Sequence, residues 1–215
     1  VYRLPLRSKE SVKLSRRIAD ESTVLLKNDG QLLPLNVRNL KSVAVIGPNA
    51  DNVQFGDYTW SKKKEDGVTP LQGIKNLLGD RVKINYAKGC SLVSLDTSGI
   101  AEAVDAARHS DVALIFVGSS STAFVRHTQE PSTSGEGIDL SDISLTGAQE
   151  QLIREVFAVG KPVVVILVAG KPFAIPWVKE NIPAILAQWY AGEQEGNSIA
   201  DILFGNVNPS GKLTF

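Results

Sequence analysis

The residues best equipped for chemistry sit in one polar stretch, "EPSTSGEGIDLSD", at 130–142. It gathers Glu130, Glu136, Asp139 and Asp142 among Gly, Ser and Thr, closely after one of the most strand-like runs in the chain. Glu136 lies between Gly135 and Gly137, so the backbone there can bend sharply and present the side chain to a ligand. Glu130 precedes Pro131 in the same loop. A carboxylic acid on a loop that closes over a bound sugar loses its water, and its pKa rises until it keeps a proton near neutral pH. Such a group can protonate a leaving oxygen. Most exposed acids are only solvated charges, and composition alone leaves that reading open.

A second group of candidates is "FGDYTW", 55–60. Tyr58 and Trp60 suit stacking on a sugar face or an apolar ligand, and equally suit covering a sheet edge. Asp57 beside them suits binding hydroxyls or capping a turn. Arg126 and His127 suit substrate binding or a pair with Glu130. Further on, Glu193 and Glu195 follow Trp189-Tyr190 and open a helical run, where they read as charges on the helix dipole.

Other chemistries lack their residues. Gly47-Pro48-Asn49-Ala50-Asp51 is not a spaced-glycine dinucleotide fingerprint, and no Gly-rich loop ends in Lys-Ser or Lys-Thr. His109 and His127 are the only histidines, far apart and without cysteine at finger spacing, so neither a metal nor any other cofactor is expected. A Gly-x-Ser-x-Gly elbow is absent. Lys plus Arg and Asp plus Glu number 23 each, which argues against a nucleic-acid or anionic-membrane partner. No apolar run approaches the ~20 residues of a membrane span. Cys90 stands alone and excludes an intrachain disulfide.

These loops need a scaffold. With 215 residues, 43% hydrophobic and 21% charged, the chain has the make-up of an ordinary globular domain with a real core. Short apolar runs at 42–47, 112–118 and 163–168 read as strands buried on both faces, with a shorter one at 184–189 and a strand-like segment at 82–87. Helical patterns fall at 8–28, 69–78, 100–108, 146–159 and 196–204. Strand and helix in turn give an α/β fold with a mostly parallel sheet and helices on both faces. In such sheets ligands meet the crevice beyond the carboxyl ends of the strands, where the loops 47–67 and 118–145 belong. Residues 1–7 read as a linker and 8–215 as one domain. The segment 211–215 reads as a strand that the chain leaves incomplete.

Several strings, taken in order, resemble glycoside hydrolase family 3, the exo-acting β-glucosidase and β-xylosidase group. They include "ESTVLLKNDGQLLPL", "VAVIGPNAD", "GDYTW", "TPLQGI", "SGEGIDLSDISLTGAQEQLI", "GKPVVVILVAGKPFAIPW" and "AQWYAGEQEGNSIADILFGNVNPSGKL". The resemblance covers nearly the whole chain and is to the family's second domain. It implies a six-stranded α/β sandwich beside an N-terminal (β/α)-barrel. It also implies retaining hydrolysis of oligosaccharides or other glycosides, with an aspartate nucleophile on the barrel and an acid/base glutamate on this domain. The family's Glu-Gly-x-Asp core falls on Glu136-Gly137-Ile138-Asp139, making Glu136 the first choice for the acid/base and Glu130 the second. Leu140 stands where many members have arginine, which removes an ion pair from Asp139. By analogy with polysaccharide-degrading members, a periplasmic or secreted location is expected. The competing expectations are a non-catalytic module that binds sugars or supports a barrel and, third, a nucleotide- or phosphate-binding receiver domain.

Overall fold

A computed structural model describes residues 7–61, 63–121, 132–135 and 141–214. Its centre is a six-stranded sheet in the order β1-β6-β5-β4-β2-β3. The strands are β1 (Val24–Asn28), β2 (Ser42–Ile46), β3 (Lys83–Ala87), β4 (Val112–Gly118), β5 (Val163–Val168) and β6 (Ala184–Ala187). All neighbours pair in parallel except β1, which runs antiparallel to β6 along one edge. The helices are α1 (Lys9–Ser22), α2 (Pro70–Leu78), α3 (Ile100–Arg108), α4 (Gln149–Phe157), α5 (Pro176–Asn181) and α6 (Glu195–Leu203).

The period-2 alternation of strand side chains divides the core in two. Val43, Val45, Leu114, Phe116, Val164 and Ile166 face α2 and α6. Ala44, Ile46, Ala113, Ile115, Val163 and Val165 face α3, α4 and α5. Every residue of β4 and β5 is buried, which is why both read as unbroken apolar runs rather than alternating ones. The α/β sandwich with helices on both faces is thereby the observed architecture.

Three expectations change. The helical pattern at 8–28 is two elements. α1 is capped by Ser8, whose hydroxyl accepts from the Ser11 N–H at 3.1 Å, and it stops at Ser22. Val24–Asn28 then forms β1, because pairing with β6 satisfies backbone groups that an exposed last helical turn would leave to water. Leu25 and Leu26 fit the helical stripe by spacing alone, so tertiary pairing overrides a correct local pattern. The short helix α5, opened by Pro176, was not expected. Residues 211–214 carry no strand; the Gly211 N–H donates instead to the Thr23 carbonyl at 3.0 Å.

The chain path places the crevice. From β2 it crosses to β3 on one side and then returns past β2 to β4 on the other, so the order reverses between β2 and β4. Loops leaving the carboxyl ends of those two strands therefore diverge and open a cleft. Both strands exit through a glycine. Gly47 (φ +116) sits so close to β4 that a Cβ would lie 2.1 Å from the Phe116 carbonyl oxygen. Gly118 (φ +137) repeats this against β5, 2.0 Å from the Val168 carbonyl oxygen.

Candidate functional site

Four strand ends converge at the cleft, and polar side chains buried under it lock their loops together. Gln149, at the start of α4, uses its amide as a surrogate strand. It accepts from the Gly118 N–H at 2.7 Å and donates to the Gly118 carbonyl at 3.0 Å and to the Leu92 carbonyl at 2.9 Å. After β2, Asn49 accepts from the Gln54 amide at 2.8 Å and reaches toward the Ser119 carbonyl at 3.4 Å. The loop 47–67 is therefore tied directly to the exit of β4.

A second set of bonds ties this loop to the entrance of α6. The Gln54 N–H donates to Glu195 Oε2 at 2.7 Å, and the Gly192 N–H donates to the Gln54 carbonyl at 3.2 Å. Glu195 is fully buried, and burial pushes its carboxyl well above the usual carboxylate range, opposed by the Gln54 N–H. For this residue the reading as a solvated charge on the helix dipole gives way to a buried side chain that holds a loop. Glu193 instead pairs with Arg7 at 2.9 Å, and the Arg7 guanidinium lies 5.8 Å from the ring centre of Trp60.

The stretch after β4 leaves the described residues at 122 and re-enters them at 132–135. On re-entry it is stitched to the strand exit. The Thr133 and Ser134 N–H groups both donate to the Ser120 carbonyl, at 3.0 and 3.2 Å, and the Ser120 N–H donates to Thr133 Oγ1 at 3.2 Å. Ser134 forms a parallel bridge with Ser121. The Tyr190 hydroxyl, arriving from beyond β6, lies 2.6 Å from Ser119 Oγ and 2.7 Å from Ser134 Oγ.

Of the site residues expected from sequence, Glu136, Glu130, Arg126 and His127 lie outside the described residues. Asp57 is half-buried, and its charge raises the pKa of Tyr190 secondarily to the effect of burial. Tyr58 and Trp60 are 77% and 53% exposed, presenting apolar rings to solvent rather than covering the sheet. Sequence reasoning missed Asn49, Gln54, Gln149 and Tyr190 as organisers. Asn49 and Tyr190 signalled themselves only as polar or amphipathic residues just past apolar runs, and Gln54 and Gln149 lacked even that signal. A separate cavity of about 310 Å³ beside β1 is lined by Leu26, Phe173, Ile175, Trp189, Leu213 and Lys171 among others. Among the described residues no carboxylate lines it, so these side chains do not suit acid-catalysed chemistry. Among the described residues no three His, Cys, Asp or Glu side chains gather as a metal site.

Comparison with known proteins bears directly on this arrangement. The profile of the "Glycosyl hydrolase family 3 C-terminal domain" matches residues 23–215. A β-xylosidase of Formosa agariphila is 42% identical over 95% of the chain, and a periplasmic β-glucosidase of Salmonella typhimurium is 36% identical over 94%. The chain spans only 28% of each of those relatives. Among solved structures, a Listeria innocua β-glucosidase in complex with isofagomine superposes with TM-score 0.82 at 29% identity, over 97% of this chain and 27% of that one. An exo-β-xylosidase bound to a xylobiose aziridine probe gives TM-score 0.80 at 32% identity, over 95% of this chain and 25% of that one.

Proposed function

Because this chain belongs to glycosyl hydrolase family 3, whose C-terminal domain it forms, we propose that it carries the acid/base of a retaining, exo-acting β-glycosidase. The substrate class is a β-glucoside or β-xyloside, and Glu136 is the proton donor, with Glu130 as the second choice. An N-terminal (β/α)-barrel of the same protein supplies the aspartate nucleophile. In the first step that aspartate attacks the anomeric carbon while Glu136 protonates the departing glycosidic oxygen. In the second step the Glu136 carboxylate takes a proton from water, which displaces the aspartate and releases the sugar with its configuration retained. Such chemistry needs the two carboxyl groups roughly 5–5.5 Å apart.

The observation that carries this reading is the stitched return at 132–135. The chain is fixed against the exit of β4, beside the switch point of the sheet, two residues before Glu136 in sequence. The exposed rings of Tyr58 and Trp60, on the loop across the cleft, supply an aromatic platform suited to a sugar face. Leu14 and Ile18 project from α1 as exposed apolar side chains, in keeping with a further domain packing there.

The test is Glu136→Gln and Glu130→Gln, each in the full-length protein. Loss of a catalytic acid lowers kcat/KM, which reports the first step, by about 10²–10⁴-fold for glycosides with poor alkyl leaving groups and spares kcat/KM for dinitrophenyl glycosides, whose leaving group needs no proton. Equal losses on both substrates for both variants would refute the role. The 215-residue chain alone is expected to show no turnover.

A further inference from the structure

Tyr190 occupies an unusual place. It follows Trp189, whose φ of +61 is rare for a bulky side chain. The indole N–H of Trp189 holds that turn by donating to the Ser22 carbonyl at 3.0 Å. The turn sends Tyr190 from the exit of β6 past β5 to the exit of β4. Its ring packs so tightly on Gly170, just beyond β5, that a Cβ there would lie 2.6 Å from Tyr190 Cε2.

At the end of this reach the hydroxyl is fully used. It touches Ser119 Oγ at 2.6 Å and Ser134 Oγ at 2.7 Å, and it accepts from the backbone N–H of Gly170. A phenol has one proton to give and two lone pairs, so three partners saturate it. One arrangement satisfies all of them: Gly170 N–H and Ser119 O–H donate to Tyr190, Tyr190 donates to Ser134, and Ser134 donates to the Ser120 carbonyl at 3.4 Å. Burial, with Asp57 nearby, raises the phenol's pKa and keeps it neutral, as this hub requires.

We infer that Tyr190 is a positioning residue for the acid/base glutamate: its hydroxyl pins Ser134 to the exits of β4 and β5 and so fixes the root from which Glu136 is presented. The inference rests on the reading of Glu136 as the acid. Three separate strand exits meet on one oxygen, and Ser134, the one partner that belongs to the long loop, lies two residues from that glutamate. A purely structural tyrosine needs no such convergence, because the ring alone fills the space above Gly170.

The experiment is Tyr190→Phe in the full-length protein, which keeps the ring and deletes the hub. On alkyl glycosides kcat/KM should fall on the order of 10-fold, since a misplacement of about 1 Å at a reacting group costs up to ~10²-fold. On dinitrophenyl glycosides kcat/KM should fall less than about 2-fold, because their first step needs no proton. Ser134→Ala, which perturbs folding least, should reproduce part of the loss, and the double variant should lose no more than Tyr190→Phe alone. An equal loss on both substrates, or none, overturns the inference, as does full additivity of the two substitutions. Glu136→Gln separates the two levels. If it shows the leaving-group signature and Tyr190→Phe does not, only the positioning role falls. If Glu136→Gln lacks the signature, the reading of the glutamate falls and the role of Tyr190 falls with it.

Discussion

Gly118→Ala is a sharp test of how the cleft is built. A Cβ at 118 would stand 2.0 Å from the Val168 carbonyl oxygen, where real Cβ atoms essentially never come within 3.0 Å. The end of β5 must therefore retreat by roughly 1 Å, an overpacking that costs about 1–3 kcal/mol. The same retreat stretches the Ser119 N–H bond to the Val168 carbonyl, now 2.9 Å, and loses about 1 kcal/mol. A side chain at φ +137 adds about 1–3 kcal/mol of backbone strain. Gly118 cannot swing aside, because Gln149 grips both its N–H and its carbonyl. A total of about 3–7 kcal/mol lowers the melting temperature by on the order of 10–20 °C for a domain of this size. Gly160→Ala is the internal control: φ is +82 there, but nothing lies within 4 Å of the added carbon, so only backbone strain of about 1 kcal/mol applies. Melting both variants by circular dichroism isolates the clash. If Gly118→Ala costs no more than Gly160→Ala, the close approach of β4 and β5 at the cleft is wrong.

Gln149→Leu should destabilise by about 2–4 kcal/mol, because it strands the buried N–H of Gly118 while filling similar space; denaturant titration reads this as a lower midpoint at unchanged slope. Glu195 holds its proton more tightly when folded than when unfolded, so its neutral form stabilises below the ordinary carboxylate range and that contribution drains away as pH rises above it. Glu195→Gln should therefore flatten the fall in melting temperature between about pH 5 and pH 8, and an unchanged slope would contradict burial of this acid. Asp111 is the opposite case. The backbone N–H groups of Lys41 and Ser42, at 2.7 and 2.9 Å, hold its carboxyl below the usual range, so its stabilisation is present at neutral pH and lost in acid. Asp111→Asn should narrow the stability difference between about pH 6 and pH 3, read by the same melts.

Much of the scaffold was legible because burial on both faces writes itself into composition. β4 and β5 consist of little but β-branched and other apolar residues, and the alternation with helices implied a parallel sheet with two covered faces. β1 was not legible. Val24, Leu25 and Leu26 continue the spacing of α1, and only the presence of β6, more than a hundred and fifty positions away, turns them into a strand. Residues 211–214 also look like a strand by residue type and carry none, the Gly211 N–H donating instead to the Thr23 carbonyl.

The site divides along the same line. An acid between glycines, or an aromatic ring in a polar loop, declares itself locally, because its neighbours in sequence are enough to single it out. The organisers act on other parts of the chain, and their meaning exists only once the strand order is known. Tyr190 can reach Ser119 because β5 alone separates β6 from β4, and Asn49 can reach Ser119 because β2 lies directly beside β4. Neither adjacency follows from sequence distance. In a parallel sheet, however, every strand exits on the same side, so the first few residues after each apolar run form a single spatial set whatever their separation along the chain. Read that way, Asn49, Ser119, Gly170 and Tyr190 belong together as the floor of one cleft. The return at 132–135 is bonded to that floor, so under the proposed acid/base role the sheet sets where the glutamate-bearing stretch begins.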